Sequence, residues 1–345
     1  MDGRKFLTLD ALRGIAALAV VMFHLSGPFA AVRHGYLAVD LFFLMSGFVV
    51  AAAYEERLLD GWGVGAFMAV RLKRLWPVYA VGVVLGAASF AAIRLLRPDL
   101  SFVMPHAAPA QVFAMGLLLL PQFVFYGGPA FPFNSASWSL SVELFGNLAY
   151  GALARTLRTP MLLAFAATGL AGLAIIALRV GDLDVGVTAG GVAAGYIRFL
   201  FSFSAGVLLH RWHAAGRLPA LALPWWLPLL AAAITFGMPG LSSGWYDLAV
   251  VALVYPAILV ASLHNRVPAR AAAIFGWAGA VSYPLYVVHP PLVDAAKALA
   301  AAGSYPATAV VLLVAAVALA HGMNRWFDRP LQAWLRRPRR TAWRT

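Results

Sequence analysis

Arg13 and His24 stand eleven residues apart in LDALRGIAALAVVMFH, a stretch otherwise apolar enough to cross a membrane. In a helix, eleven steps close about three full turns, so the two side chains share one stripe roughly 16 Å apart along the axis. An imidazole at that depth can take a proton from a hydroxyl, and a guanidinium can hold an anionic group or a developing negative charge. Ionisable groups in hydrocarbon cost at least about 2.5 to 3.5 kcal/mol on insertion scales, so such residues face a polar interior and mark a pathway or a reaction site.

Other segments carry further candidates. GYLAVDLFFLMSGF places Asp40 in the first turn of a second span, either as an interior charge or as a carboxylate favoured by the helix dipole. Its Ser46 and Gly47 read as small residues for close helix packing. In FMAVRLKRLWPVY, Arg71 and Arg74 share a face just before Trp76, Pro77 and Tyr79. Paired guanidinium forks there suit a phosphate-bearing ligand, or are ordinary basic flanking of a span. NSASWSLSVELFGN puts Ser139 and Glu143 one turn apart beside Trp138, and an acid inside a span must be paired or protonated. VSYPLYVVHPPL sets Ser282, Tyr286 and His289 on one face, with Tyr283 adding a second phenol, as an interfacial cluster or a cavity lining. Arg198, deep in GYIRFLFSFSAGVLL, should pair with an acid such as Asp40 or Glu143, or point into a cavity. Asp328, between Arg325 and Arg329, reads first as a capping charge.

The elements that must position these groups are membrane helices. Of 345 residues, 62% are hydrophobic and 11% charged, against roughly 25% charged in soluble domains. The expected fold is therefore an all-α integral membrane protein. About ten transmembrane helices fall near 8–27, 36–54, 76–96, 136–154, 160–178, 188–209, 223–238, 245–263, 273–294 and 304–326. They form a single polytopic domain over 1–345, with a basic tail from about 329. Residues 111–126 are apolar but short and contain Pro121, which predicts a re-entrant or interfacial segment covering a cavity. The first apolar stretch is too long for a signal peptide and should remain as a span.

Cysteine is absent, which removes disulfides, thiolate nucleophiles and sulfur-rich metal sites; no metal is expected. The net charge of +13 does not point to nucleic acid, because the basic residues gather at span ends and in the tail RPLQAWLRRPRRTAWRT, where anionic lipid accounts for them. With both termini on the cytoplasmic side, 20 of the 26 Lys and Arg residues fall inside and five outside, which sets that orientation. Trp76, Trp225, Trp226, Trp277 and Trp326 sit near span ends as interfacial anchors. No internal repeat suggests an inverted-repeat transporter.

Taken in order, LDALRGIAALAVVMFH, GYLAVDLFFLMSGF, RLKRLWPVY, SWSLSVELF and VSYPLYVVHPPL resemble the membrane-bound acyltransferase-3 family across nearly the whole chain. The resemblance implies about ten membrane helices and transfer of an acyl group, often acetyl, from cytoplasmic acyl-coenzyme A to sugars or other acceptors at the cell envelope. It matches Arg13 and His24 to the family's essential Arg and His, Arg71 and Arg74 to its donor-associated pair, and Glu143 to the acid of a Trp-Ser-Leu-x-x-Glu-like motif. Two departures stand out. Asp328 precedes Arg329 and Pro330 where relatives often carry Glu-x-Pro, and the SGNH-type extension of many relatives is not expected here.

On that basis His24, Arg13 and Glu143 are the candidate catalytic residues, with Arg71, Arg74 and Tyr79 binding acyl-coenzyme A, most simply acetyl-coenzyme A. Asp40, Trp138, Ser139, Arg198, Tyr283, Tyr286 and His289 would bind a hydroxyl-bearing acceptor such as a glycan. The expected place is the inner membrane. Intramembrane Asp, Glu, His and Arg also suit a proton-coupled secondary transporter, the competing reading.

Overall fold

Helix α1 (Leu7–Leu25) ends where Ser26 and Gly27 both take positive φ, 46° and 53°, and Pro28 follows. The Ser26 N–H donates back to Met22 and closes the last turn. In this computed structural model residues 6–99, 109–123, 128–238, 243–299 and 305–337 are described. The chain continues through α2 (Ala38–Leu59), α3 (Val64–Leu96), α4 (Pro109–Leu117), α5 (Ser137–Leu153), α6 (Thr159–Val180), α7 (Val192–Ala214) and α8 (Leu227–Gly237). It closes with α9 (Gly244–Ala249), α10 (Tyr255–Ala261), α11 (Ala269–Leu299), α12 (Tyr305–Gly322) and α13 (Arg329–Leu335). Wide π turns join α9 to α10 and α12 to α13, making two continuous rods. Among the described residues there is no strand, only an isolated bridge between Pro129 and Thr188.

Among the described residues eight helices are long and apolar enough to cross a membrane, so the protein is an all-α, multi-pass membrane protein. The remaining two expected spans are the shorter α5, of 17 residues, and α8, of 11. Segment 111–126 becomes α4 followed by a reversal at Leu119, whose φ is 57°; residues 124–126 lie outside the described residues. Irregular backbone at membrane depth must find internal partners. Here Tyr79 donates to Gly116 O, Trp76 Nε1 to Leu117 O at 2.9 Å, and Ser141 to Leu119 O at 2.8 Å. The segment walls an apolar groove of about 910 Å³ against α3 and α13.

The bundle centre is made by α1 against α11 and α2 against α7. Gly47 and Gly206 let α2 and α7 touch backbone to backbone: a Cβ on Gly47 would sit 2.2 Å from Phe203 O, and one on Gly206 2.1 Å from Leu44 O. Gly14 does the same for α1 against Ala278 of α11.

Two of these helices are interrupted by proline, which lacks the N–H that the carbonyl four residues earlier needs. Pro77 in α3 frees Lys73 O, and Gln332 Nε2 donates to it at 2.9 Å. Pro284 in α11 frees Ala280 O, which Asn324 Nδ2 takes at 2.8 Å. Pro291 frees Val287 O, which Asn134 Nδ2 takes at 2.8 Å. Each amide comes from a different segment, so each proline becomes a point of tertiary attachment. Asn134→Leu should lower stability by about 1–3 kcal/mol, the cost of an orphaned buried acceptor, read as a reduced melting temperature in detergent. Adding Pro291→Ala, which restores a helical donor, should recover part of that loss; strictly additive effects would contradict the pairing.

Candidate active site

Two chambers lie along α1, one near its start and one near its end. The first, about 350 Å³, is lined by Arg13 of α1, Arg71 and Arg74 of α3, Glu143 of α5, Tyr283 of α11 and Arg336 just after α13. The second, about 30 Å³, is lined by His24, His289, Tyr36, Trp138, Arg198 and Asp184. Val39 and Tyr286 line both, and so form the partition between them. The much larger groove beside α4 is apolar and holds none of the candidate groups.

In the first chamber each arginine of the bundle has a carboxylate behind it. Arg71 donates to Glu143 at 2.8 Å, and Ser46 donates to the same Glu143 oxygen at 2.6 Å. Arg74 donates to the buried Asp328 at 2.8 Å, and Arg13 to Asp10 at 3.1 Å. Of the charged groups on the wall itself, four are guanidiniums and one is a carboxylate, Glu143. Such a surface favours an anionic guest. Asp328 is delivered inward by the π turn at Met323–Asp328, a local widening often found at functional sites. The Tyr283 hydroxyl donates to Leu75 O at 2.6 Å and fixes α11 against α3 at the chamber rim.

In the second chamber His24 makes its Nδ1 contact with Val20 O at 2.8 Å. A carbonyl oxygen only accepts, so Nδ1 carries the hydrogen and Nε2 keeps its lone pair. The His289 ring stands 5.1 Å away, inclined at 61°. Arg198 grips both Asp40 oxygens, at 2.6 and 3.2 Å, and donates to Val185 O and Tyr36 O, each at 2.8 Å. Asp40 and Arg198 are almost wholly buried, 0% and 1% exposed, and the pair holds α2, α7 and the 181–188 loop together. Trp138 lies under the Arg198 guanidinium at 5.3 Å, seated against Gly186 and Gly195. Behind this chamber Tyr36 donates to Asp247 at 2.9 Å beside His34, whose imidazole, in the loop before α2, is pushed below its ordinary pKa by burial.

The sequence-predicted groups thus divide. Arg13, Arg71, Arg74, Ser139, Glu143, Tyr283 and Tyr286 gather on the first chamber. His24, Trp138, Arg198, His289 and again Tyr286 gather on the second. Arg13 and His24 fall on different chambers, as one stripe at two depths requires. Glu143 is grouped with the arginines and not with His24. Tyr79 is turned away, its hydroxyl committed to Gly116 O. Sequence reasoning passed over Ser46, Asp328, Arg336, Tyr36 and Asp184 as site residues. The only signal for Tyr36 is its position four before Asp40, and Arg336 is indistinguishable from the rest of the basic tail.

No solved structure matches the chain. Protein 2 in the picA locus of Rhizobium radiobacter is 37% identical over 174 residues, 47% of this chain and 91% of that protein. The exopolysaccharide production protein ExoZ of Rhizobium meliloti is 28% identical over 314 residues, 86% of this chain and 89% of its own. A putative O-acetyltransferase of Staphylococcus aureus (strain COL) is 33% identical over 109 residues, which is 30% of this chain and 17% of that longer protein. The family described as an acyltransferase domain matches residues 6–323, a span that includes Arg13, His24, Arg71, Arg74, Glu143, Tyr286 and His289, and the chain therefore belongs to the acyltransferase-3 family of membrane acyltransferases.

Proposed function

We propose that the protein moves an acyl group, acetyl in the simplest case, from acyl-coenzyme A to a hydroxyl of an envelope glycan or other acceptor across the Tyr286 and Val39 partition. The observation that carries this reading is the pair of chambers meeting at one wall, arginine-lined on one side and histidine-lined on the other. The likeness to ExoZ and to a putative O-acetyltransferase supports an O-linked product on a polysaccharide. The excess of basic residues at one set of loops supports an inner-membrane orientation with both termini cytoplasmic, so the arginine chamber opens inward.

Phosphates of the donor's nucleotide engage Arg71, Arg74 and Arg336, exchanging with the carboxylates that hold the first two. Arg13, deeper in the same chamber, orients the donor. The thioester carbonyl reaches the partition, and the acceptor hydroxyl meets it from the second chamber. His24 Nε2 removes the hydroxyl proton as the oxygen bonds to the acyl carbon; the carbon–sulfur bond breaks, and the coenzyme A thiolate takes that proton from the imidazolium. No acyl-enzyme is required. Asp40, Arg198 and Trp138 act by holding the second chamber's walls. For the competing reading, a proton-coupled transporter, Asp40 is no carrier, because it is locked in a bidentate pair with Arg198.

His24→Ala should lower acyl transfer from acetyl-coenzyme A to envelope fractions by about 100-fold or more while leaving donor affinity unchanged. Activity near the wild-type level would remove the base assignment. Arg74→Ala and Arg336→Ala should each weaken coenzyme A binding about tenfold, measured by calorimetry on the detergent-purified protein, and Arg71→Lys should be milder than Arg71→Ala. Intact-mass measurement after incubation with acetyl-coenzyme A alone should find no stable added acetyl; a stoichiometric adduct would establish the covalent route instead.

A further inference from the structure

His289 is 1% exposed, and its Nε2 is buried without a hydrogen-bond partner. Its Nδ1 faces Leu285 O at 3.3 Å, repeating one helix over the arrangement of His24 Nδ1 on Val20 O. By the same reasoning Nδ1 carries the hydrogen, and Nε2 is a bare acceptor on a side chain that lines the second chamber. None of the donors around it is bonded to this nitrogen, and three of them are committed elsewhere. The Tyr286 hydroxyl is bonded to Ser139 at 2.7 Å, Tyr36 donates to Asp247, and Arg198 spends its N–H groups on Asp40, Val185 O and Tyr36 O. A buried acceptor facing a cavity without a protein donor is completed by a donor that enters the cavity.

Two such acceptors stand side by side, with ring centres 5.1 Å apart, in a chamber of about 30 Å³. A guest with one hydroxyl can satisfy only one of them. We propose that His289 receives a second hydroxyl of the acceptor, adjacent to the one His24 deprotonates, so that the site selects a vicinal diol over a mono-alcohol of equal size. His289 then acts as a specificity-determining residue through a neutral O–H···N hydrogen bond, and the transfer chemistry stays with His24. This inference rests on the acyl-transfer reading above.

The test uses the full-length protein in proteoliposomes with acetyl-coenzyme A and two probes matched in heavy-atom count, ethane-1,2-diol and 1-propanol, with the ester quantified by mass spectrometry. The wild type should favour the diol in kcat/KM by about tenfold or more. His289→Leu should bring the ratio to about one by losing the diol reaction while retaining that of propanol, and His289→Gln, whose amide oxygen can accept, should keep an intermediate ratio. Coenzyme A affinity at the arginine chamber checks that each variant is folded; should His289→Leu fail to fold, the wild-type and Gln ratios decide. A wild-type ratio near one, whether both probes are acetylated or neither, overturns the assignment, as does a ratio unchanged in His289→Leu. Release of coenzyme A in the presence of envelope fractions separates the two levels of failure. Release without diol preference sinks the His289 role alone, and no release sinks the acyl-transfer reading together with it.

Discussion

A backbone carbonyl deprived of its helical donor inside hydrocarbon has no water to turn to, and each such group costs several kcal/mol if nothing else reaches it. Within α11 this chain creates the problem at Pro284 and Pro291 and solves it with Asn324 and Asn134, and nearer the surface Gln332 serves the carbonyl freed by Pro77 in the same way. The consequence is architectural. Because the donor is borrowed from another segment, α3 is tied to α13, and α11 to both the π turn at Met323–Asp328 and the loop before α5. Of these segments α3 and α11 wall the first chamber, and α11 also walls the second. The same π turn that supplies Asn324 supplies Asp328 to Arg74, so helix attachment and chamber electrostatics share one irregular turn.

The ion pairs inside the bundle are of two kinds, and burial separates them. Arg198 and Asp40 are closed off, bidentate and further hydrogen-bonded, and removing either partner would leave an uncompensated charge in a low-dielectric interior. Arg71 with Glu143 and Arg74 with Asp328 are made through single bonds at a chamber wall, and Arg74 is 38% exposed. These pairs reach a chamber wall through their arginines, whereas the Asp328 carboxylate behind Arg74 is itself buried. Glu143 is the counter-ion of Arg71 in this chamber, and Ser46 donates to the same oxygen.

Much of this was legible in the sequence. Composition and span length give the membrane class, and the eleven-residue spacing places Arg13 and His24 on separate levels. The isolated Arg198 demanded an acid, and Asp40 is that acid. What could not be read are pairings across the fold. Asp328 reads as a surface cap because its neighbours are Arg325 and Arg329, and only the π turn rotates it inward to Arg74. Ser46 reads as a packing residue next to Gly47; Gly47 does pack, whereas Ser46, one residue away on the helix, faces Glu143. The short α5 falls below span length for a physical reason: the loop before it satisfies its backbone internally, with the Gln122 N–H on Ala130 O, the Ala130 N–H on Val187 O and the Ser137 N–H on Asn134 O.

The separation of the two chambers bears on how a membrane enzyme can use a donor and an acceptor that never share a solvent. If both entered one cavity, water would reach the thioester through whichever door was open. Val39 and Tyr286 line both chambers, so these two side chains stand where the chambers meet. Tyr286 is held there by Ser139 and flanked by Phe42 and His289, at ring distances of 5.7 Å each, so its position is set by α2, α5 and α11 together. A side-chain rotation is a much smaller rearrangement than the helix movements of alternating access. For the proposed reaction that is sufficient, because only an acyl group has to pass and both larger molecules leave by the side on which they arrived.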